Sequence, residues 1–301
     1  MGTPKFSVPI LENLIKNYNV ELVVTSPDAY IGRKKILTPC PVKELALKHN
    51  LEVFSPVKIR EDFKVIKELK PDIIITCAYG QIITEEILKI PKHGCINIHA
   101  SLLPKYRGGA PIHHALINGD KETGITLMYM DKGMDSGDMI VKEYVKIEEH
   151  DNIQTLSEKL SLLGSEMIIK HLPSIIGGTC ERTVQNVDEV SFAGIIKREH
   201  ELIDFHKTQE EVYNLFRVLS PAPLPYFKID GMEYKIAECE KVDAKGKVST
   251  IVETQKESLT IMCADGGLKI TKIKPFGKNI MRVKDYFNGI KKESLLGKEV
   301  N

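Results

Sequence analysis

Apolar residues in the first half of the chain recur in two alternating patterns, one with the period of a helix and one in short continuous runs. Helical spacing occupies residues 8–15, 41–48, 62–69, 84–90 and 111–118, and apolar runs occupy 20–24, 72–76, 95–98 and 125–130. A helix with one apolar stripe must bury it, and strands that alternate with such helices form a sheet covered by them. The pattern therefore predicts an α/β fold with a Rossmann-like, doubly wound, largely parallel sheet. Asp72-Ile-Ile-Ile-Thr76 is the clearest buried strand, because a continuous β-branched run suits a strand covered on both faces.

Helical spacing over residues 152–176 closes this region at Gly177-Gly178, and the polar, irregular stretch that follows, to residue 203, reads as a linker. One more amphipathic helix is predicted over 208–218, before Ser220-Pro-Ala-Pro-Leu-Pro225. Short alternating runs then fall at 226–229, 234–239, 249–253, 259–263 and 268–273, separated by Gly and Asp turns. Strands this short and closely spaced predict a small, OB-like C-terminal β-barrel. The expected organisation is a catalytic domain over 1–180, a linker over 181–203 and a barrel domain over 204–301.

Composition changes this picture little. With 301 residues, a net charge of +1 and 28% charged residues, the chain carries no overall field, so contact with nucleic acid would rest on local patches. Two candidates stand out: Gly32-Arg33-Lys34-Lys35 in a connector, and residues 241–301, with thirteen Lys or Arg against seven Asp or Glu. The six cysteines show no CxxC spacing and no paired histidine ligands, which points to a reduced, cytoplasmic protein with no metal. No apolar run reaches the ~20 residues that cross a bilayer, so no membrane partner is expected.

The candidate chemistry lies in two segments. Residues 97–104 read Asn-Ile-His-Ala-Ser-Leu-Leu-Pro, and Asp131-Lys-Gly-Met-Asp135-Ser-Gly-Asp138 follows. Asn97 and His99 share a face if the strand runs through both. An amide there suits a developing oxyanion, the imidazole can move a proton, and the Asp135 carboxylate can orient the ring or order a water. Taken alone, an Asn-x-His pair at a strand end more often caps or turns the chain.

Longer motifs carry a resemblance. Gly94-Cys-Ile-Asn97-Ile-His99-Ala-Ser101-Leu-Leu-Pro104-Lys-Tyr-Arg107-Gly-Gly-Ala-Pro111, then Asn118-Gly-Asp120, Glu122-Thr-Gly124 and Asp131 to Asp138, resemble the folate-dependent formyltransferases. Gly2-Thr-Pro4-Lys-Phe6-Ser-Val-Pro9 and Ala78-Tyr-Gly80 match the same family. The resemblance implies transfer of a formyl group from 10-formyltetrahydrofolate to the amino group of initiator methionyl-tRNA, in translation initiation. It implies Asn97, His99 and Asp135 as the catalytic trio, and Ser101, Leu102, Leu103 and Pro104 as the folate site. It also implies tRNA contact by Arg33, Lys34 and Lys35, with Arg33 foremost, and by the C-terminal barrel of a monomer. An amino-sugar nucleotide N-formyltransferase and a non-catalytic folate- or RNA-binding protein are the alternatives. The family usually begins with a short apolar strand ahead of Gly-Thr-Pro. Only Met1 precedes Gly2 here, so the neighbours of that strand are expected to lack partners.

Overall fold

The computed structural model describes residues 1–32 and 34–301. In chain order its main elements are α1 (Val8–Asn17), β1 (Val23–Val24), β2 (Ala29–Ile31), β3 (Ile36–Thr38), α2 (Pro41–Lys48), β4 (Val53–Phe54), α3 (Lys64–Leu69), β5 (Ile74–Thr76), α4 (Glu85–Leu88), β6 (Cys95–His99), α5 (Pro111–Ile117), β7 (Glu122–Tyr129), β8 (Met139–Lys146) and α6 (Ile153–Ile176). They continue as α7 (Gln209–Leu219), β9 (Tyr226–Ile229), β10 (Met232–Val242), β11 (Ile251–Thr254), β12 (Leu259–Met262), β13 (Gly267–Pro275), β14 (Met281–Arg282) and α8 (Val283–Phe287). Two units result, one of residues 1–112, 122–146 and 157–194, the other of residues 113–121, 147–156 and 195–301.

In the first unit the expected parallel pairing is found between β1 and β4 and between β5 and β6. Strands β7 and β8 extend the sheet antiparallel, in the order β5-β6-β7-β8. Ile96 and Ile98 of β6 and Ile125 and Leu127 of β7 are buried, so this apolar layer fixes the strand that carries the polar residues between them. Residues 29–31 and 36–38, within a stretch read as a connector, pair as the β2–β3 hairpin, registered Ala29 to Thr38. The segment read as a linker is also structured: Thr183 exchanges two backbone hydrogen bonds with Met139, and Ser191 and Ala193 bond to Arg107. Backbone groups placed near a folded surface need partners, and this polar stretch finds them on the first unit.

Met1 and Gly2 run between β1 and β5: the Met1 amino group donates to the Ile75 carbonyl (2.7 Å), Gly2 N to Val24 O (3.0 Å), and Cys77 N to Met1 O (3.0 Å). Beyond them lies an apolar cleft of about 310 Å³, lined by Val20, Leu22, Val24, Ile73, Ile75 and Leu172 among others. The cores on either side, around Ile66 and Ile87 and around Leu11 and Val42, remain well buried.

In the second unit, Thr208 caps α7: its hydroxyl accepts from Glu211 N and the Glu211 carboxylate accepts from Thr208 N. The antiparallel sheet runs β11-β12-β13-β10-β9, with β14 on β13, and a register shift near Glu238 lets the long β10 bend. Val300 bridges to Ile229 and Glu299 to Thr250, so the last residues tie the β9 edge to the segment entering β11 and curl the sheet around its core. Phe205 meets Phe227 edge-on at 6.0 Å inside that core. No helix among the described residues is long and apolar enough to cross a membrane.

Burial pushes the Met1 amino group down to about 6 from an ordinary 8.0. The folded chain therefore releases this proton while the unfolded chain holds it, and stability rises as pH increases from 6 to 8. A five-residue apolar extension ahead of Met1 moves that charge and fills the cleft. Calorimetry is expected to show the melting temperature raised by about 5 °C or more and this pH slope removed. An unchanged melting temperature and slope would contradict filling of the cleft by the added residues.

Candidate active site

The polar end of β6 is built by register. Thr76 pairs with Asn97 across the parallel β5–β6 ladder, and its hydroxyl donates to Asn97 Oδ1 (3.0 Å). That bond orients the amide, and Asn97 Nδ2 donates to Asp135 Oδ1 at 3.4 Å. His99, 5% exposed, lies one pleat further along the same face. A carbonyl only accepts, so the His99 Nε2 contact with Tyr106 O at 3.0 Å places a hydrogen on Nε2. Nδ1 then faces Asp135 Oδ2 at 3.6 Å.

Asp135 is where these contacts meet. Its Oδ2 accepts from Gly108 N (2.8 Å), and its backbone lies in the left-handed region at φ 48°. The neighbouring Asp131 closes the loop, with Oδ1 accepting from Gly133 N (2.9 Å) and the Ser136 hydroxyl (2.7 Å). The structure thus gathers Asn97, His99 and Asp135 around one carboxylate. The Tyr106 carbonyl and the Asp135 carboxylate flank the two ring nitrogens of His99.

Ser101 to Pro104 form a tightly bonded turn after the trio's strand. Ser101 is fully buried, its hydroxyl donates to Lys105 O (2.6 Å), and its carbonyl accepts from the Thr126 hydroxyl (2.6 Å). Leu103 is buried against Met128 and Met139, and its carbonyl accepts from Lys142 Nζ (2.9 Å). Pro104 is buried as well, and Leu102 alone of the four keeps part of its surface open.

Of the cations expected to meet nucleic acid, Arg33 lies outside the described residues. Lys34 and Lys35 are exposed between the two hairpin strands, beside Tyr30 (72% exposed) and Ile36 (61% exposed). In the second unit Lys269 and Lys272 are paired with Glu240 and Glu238 on β10, which neutralises much of the local excess. Lys274 and Lys278 are exposed around Phe276 and make no salt bridge among the described residues.

Several contributors were absent from the sequence reading. Thr76 carried a weak signal, as a polar residue ending an apolar run. The Tyr106 carbonyl and the Gly108 amide carried none, since backbone groups have no residue type. Gln185 bonds the Asp135 turn from fifty positions away, beyond any local spacing.

The α/β unit thus gathers an amide, an imidazole and a carboxylate at a strand end, a set able to stabilise an oxyanion and move a proton. Residues 1–172 match the formyl transferase family and residues 195–291 its C-terminal domain. The chain belongs to the formyl transferase family and is a formyl transferase. It is 45% identical to the methionyl-tRNA formyltransferase of Macrococcus caseolyticus, over 100% of this chain and 97% of that one. It is also 45% identical to the Bacillus subtilis methionyl-tRNA formyltransferase, over 96% and 93% of the two chains. Among solved structures, an N-formyltransferase from Helicobacter canadensis in complex with folinic acid and dTDP-3-aminofucose shares the fold. Its TM-score is 0.69 at 22% identity, over 91% of this chain and 97% of that one.

Gly108 makes the geometry testable. At φ 117° an added Cβ would lie 2.8 Å from the Ala193 carbonyl oxygen, a backbone atom held by its own hydrogen bonds. Gly108→Ala is expected to displace the amide that Asp135 accepts from and to lower kcat about tenfold or more, with a melting temperature reduced by a few degrees. Steady-state kinetics with the wild-type kcat would contradict this role of the loop.

Proposed function

We propose that this chain transfers the formyl group of 10-formyltetrahydrofolate to the α-amino group of initiator methionyl-tRNA, yielding the formylated tRNA that starts translation. The observation that carries the reading is the convergence of Asn97 and His99 on Asp135. An α-amino group has an ordinary pKa near ~8, so much of it is already neutral at cellular pH. The larger tasks are to align the amine with the formyl carbon and to stabilise the oxyanion.

In this mechanism the amine attacks the formyl carbon and Asn97 Nδ2 donates to the oxygen as it becomes negative. His99 Nδ1 accepts the proton leaving the amine, because Nε2 already holds its hydrogen on Tyr106. The imidazolium so formed is balanced by Asp135 at 3.6 Å. Collapse of the tetrahedral intermediate breaks the bond to N10 of the folate, and the proton on His99 passes to that nitrogen. The Ser101–Pro104 turn lines the donor site through Leu102 and the backbone beside it, since its other side chains are buried.

For the acceptor, Lys34 and Lys35 on the exposed hairpin offer phosphate contacts beside apolar surface, and Arg33, which lies outside the described residues, is proposed to join them. The C-terminal unit, read as an OB-like barrel, adds Lys274, Phe276 and Lys278, two cations flanking a ring on which a base can stack. Such an enzyme acts as a monomer in the cytoplasm, where tRNA is charged.

Incubation with 10-formyltetrahydrofolate and charged initiator tRNA is expected to give formylmethionyl-tRNA, and a dTDP-amino sugar offered instead is expected to remain unmodified. His99→Ala and Asp135→Asn should lower kcat about a hundredfold with KM for tRNA nearly unchanged. No formylated tRNA from folded protein, preferential formylation of the sugar, or a loss confined to KM would refute this assignment.

A further inference from the structure

We infer that Gln185 is a positioning residue, fixing the turn that presents the Asp135 carboxylate to His99 and Asn97; this rests on the catalytic role proposed above for that trio. Gln185 is 4% exposed and uses its whole hydrogen-bonding capacity. Its Nε2 donates to the carbonyls of Asp135 and Gly137, each at 2.8 Å. Its Oε1 accepts from Arg107 Nε (3.0 Å) and Nη2 (2.7 Å).

These bonds close a ring through the site. Arg107 is followed by Gly108, whose amide donates to the Asp135 carboxylate, so the 107–108 segment grips Asp135 twice. One grip is direct, on the carboxylate, and the other passes through Gln185 to the backbone. The strap that carries Gln185 is itself tied down: Thr183 pairs with Met139, and Ser191 accepts from both Arg107 N and Tyr106 N. Tyr106 is the residue whose carbonyl holds His99, so one strap bears on both the base and its counter-charge.

Two features explain why the turn needs such support. Asp135 is a non-glycine residue at positive φ, a conformation that persists only where its surroundings over-determine it. Its contacts with Asn97 (3.4 Å) and His99 (3.6 Å) are long, so a small rotation of the turn breaks them. Glutamine fits because one planar group offers two donors on one side and an accepting oxygen on the other. Glutamate keeps the partner for Arg107 and loses both donors, whereas methionine has neither.

The test compares wild type with Gln185→Glu, Gln185→Met and Arg107→Met, each assayed well below its own melting temperature. All three variants are expected to lose kcat about tenfold or more while KM for folate and for tRNA stays within about threefold. The split matters, since general loosening of the unit would raise KM together with the loss of kcat. A kcat within about twofold of wild type in any folded variant would overturn the inference. Full activity in Gln185→Glu would show that only the Arg107 contact matters, and would overturn it as well. An inactive wild type would count against the proposed function, whereas an active wild type with unaffected variants counts against Gln185 alone.

Discussion

The site depends on one carboxylate held in an unfavourable backbone conformation. Asp135 receives the Asn97 amide and the Gly108 amide and faces the histidine ring, and a negative charge there gives each of those donors its direction. The φ of Asp135 is positive, and the Arg107–Gln185 clamp adds to the turn's own Asp131 bonds in holding it there. The amide of Asn97 is fixed from its other side by Thr76, and the histidine by Tyr106. Each of these three side chains thus has a support from outside the trio, an arrangement that holds side chains within a fraction of an ångström of fixed positions.

That support draws on both kinds of pairing in the sheet. Parallel pairing of β5 with β6 places Thr76 beside Asn97, and antiparallel pairing of β6 with β7 sets Thr126 opposite His99. The Thr126 hydroxyl then organises the turn after the strand, donating to Ser101 O and accepting from Leu103 N. On the far side of β5 lie Met1, bonded to Ile75 and Cys77, and Gly2, whose amide donates to Val24 of β1. The β5–β6 ladder keeps its pairing beside them, so the local packing of Ile74, Ile96 and Ile98 suffices to place the face that carries Asn97 and His99.

The strand and the shared face of Asn97 and His99 were legible because their signal is local, whereas Asp135 entered the trio only through the longer resemblance. Ile96 and Ile98 alternate with Asn97 and His99, and a period of two on an apolar strand puts both polar groups on one face. The antiparallel course of β7 was not legible, since an apolar run carries no mark of its direction. The β2–β3 hairpin hid for a different reason: Tyr30, Ile31, Ile36 and Leu37 are exposed on it, so its apolar residues do not follow the burial that periodicity reports. The strap at 183–193 was read as a linker because its role is carried by backbone groups and by Gln185, and hydrogen bonds between distant segments leave no periodic trace.

At the centre of this account is the claim that Tyr106 fixes the hydrogen on His99 Nε2 and so leaves Nδ1 free to take a proton beside Asp135. Heteronuclear NMR of the His99 ring nitrogens, in the wild-type protein at a pH where the ring is neutral, tests it directly. The account predicts a protonated Nε2 and an unprotonated Nδ1. A neutral ring with its hydrogen on Nδ1 would contradict it, because the nitrogen facing Asp135 would then have no lone pair to accept the proton from the amine.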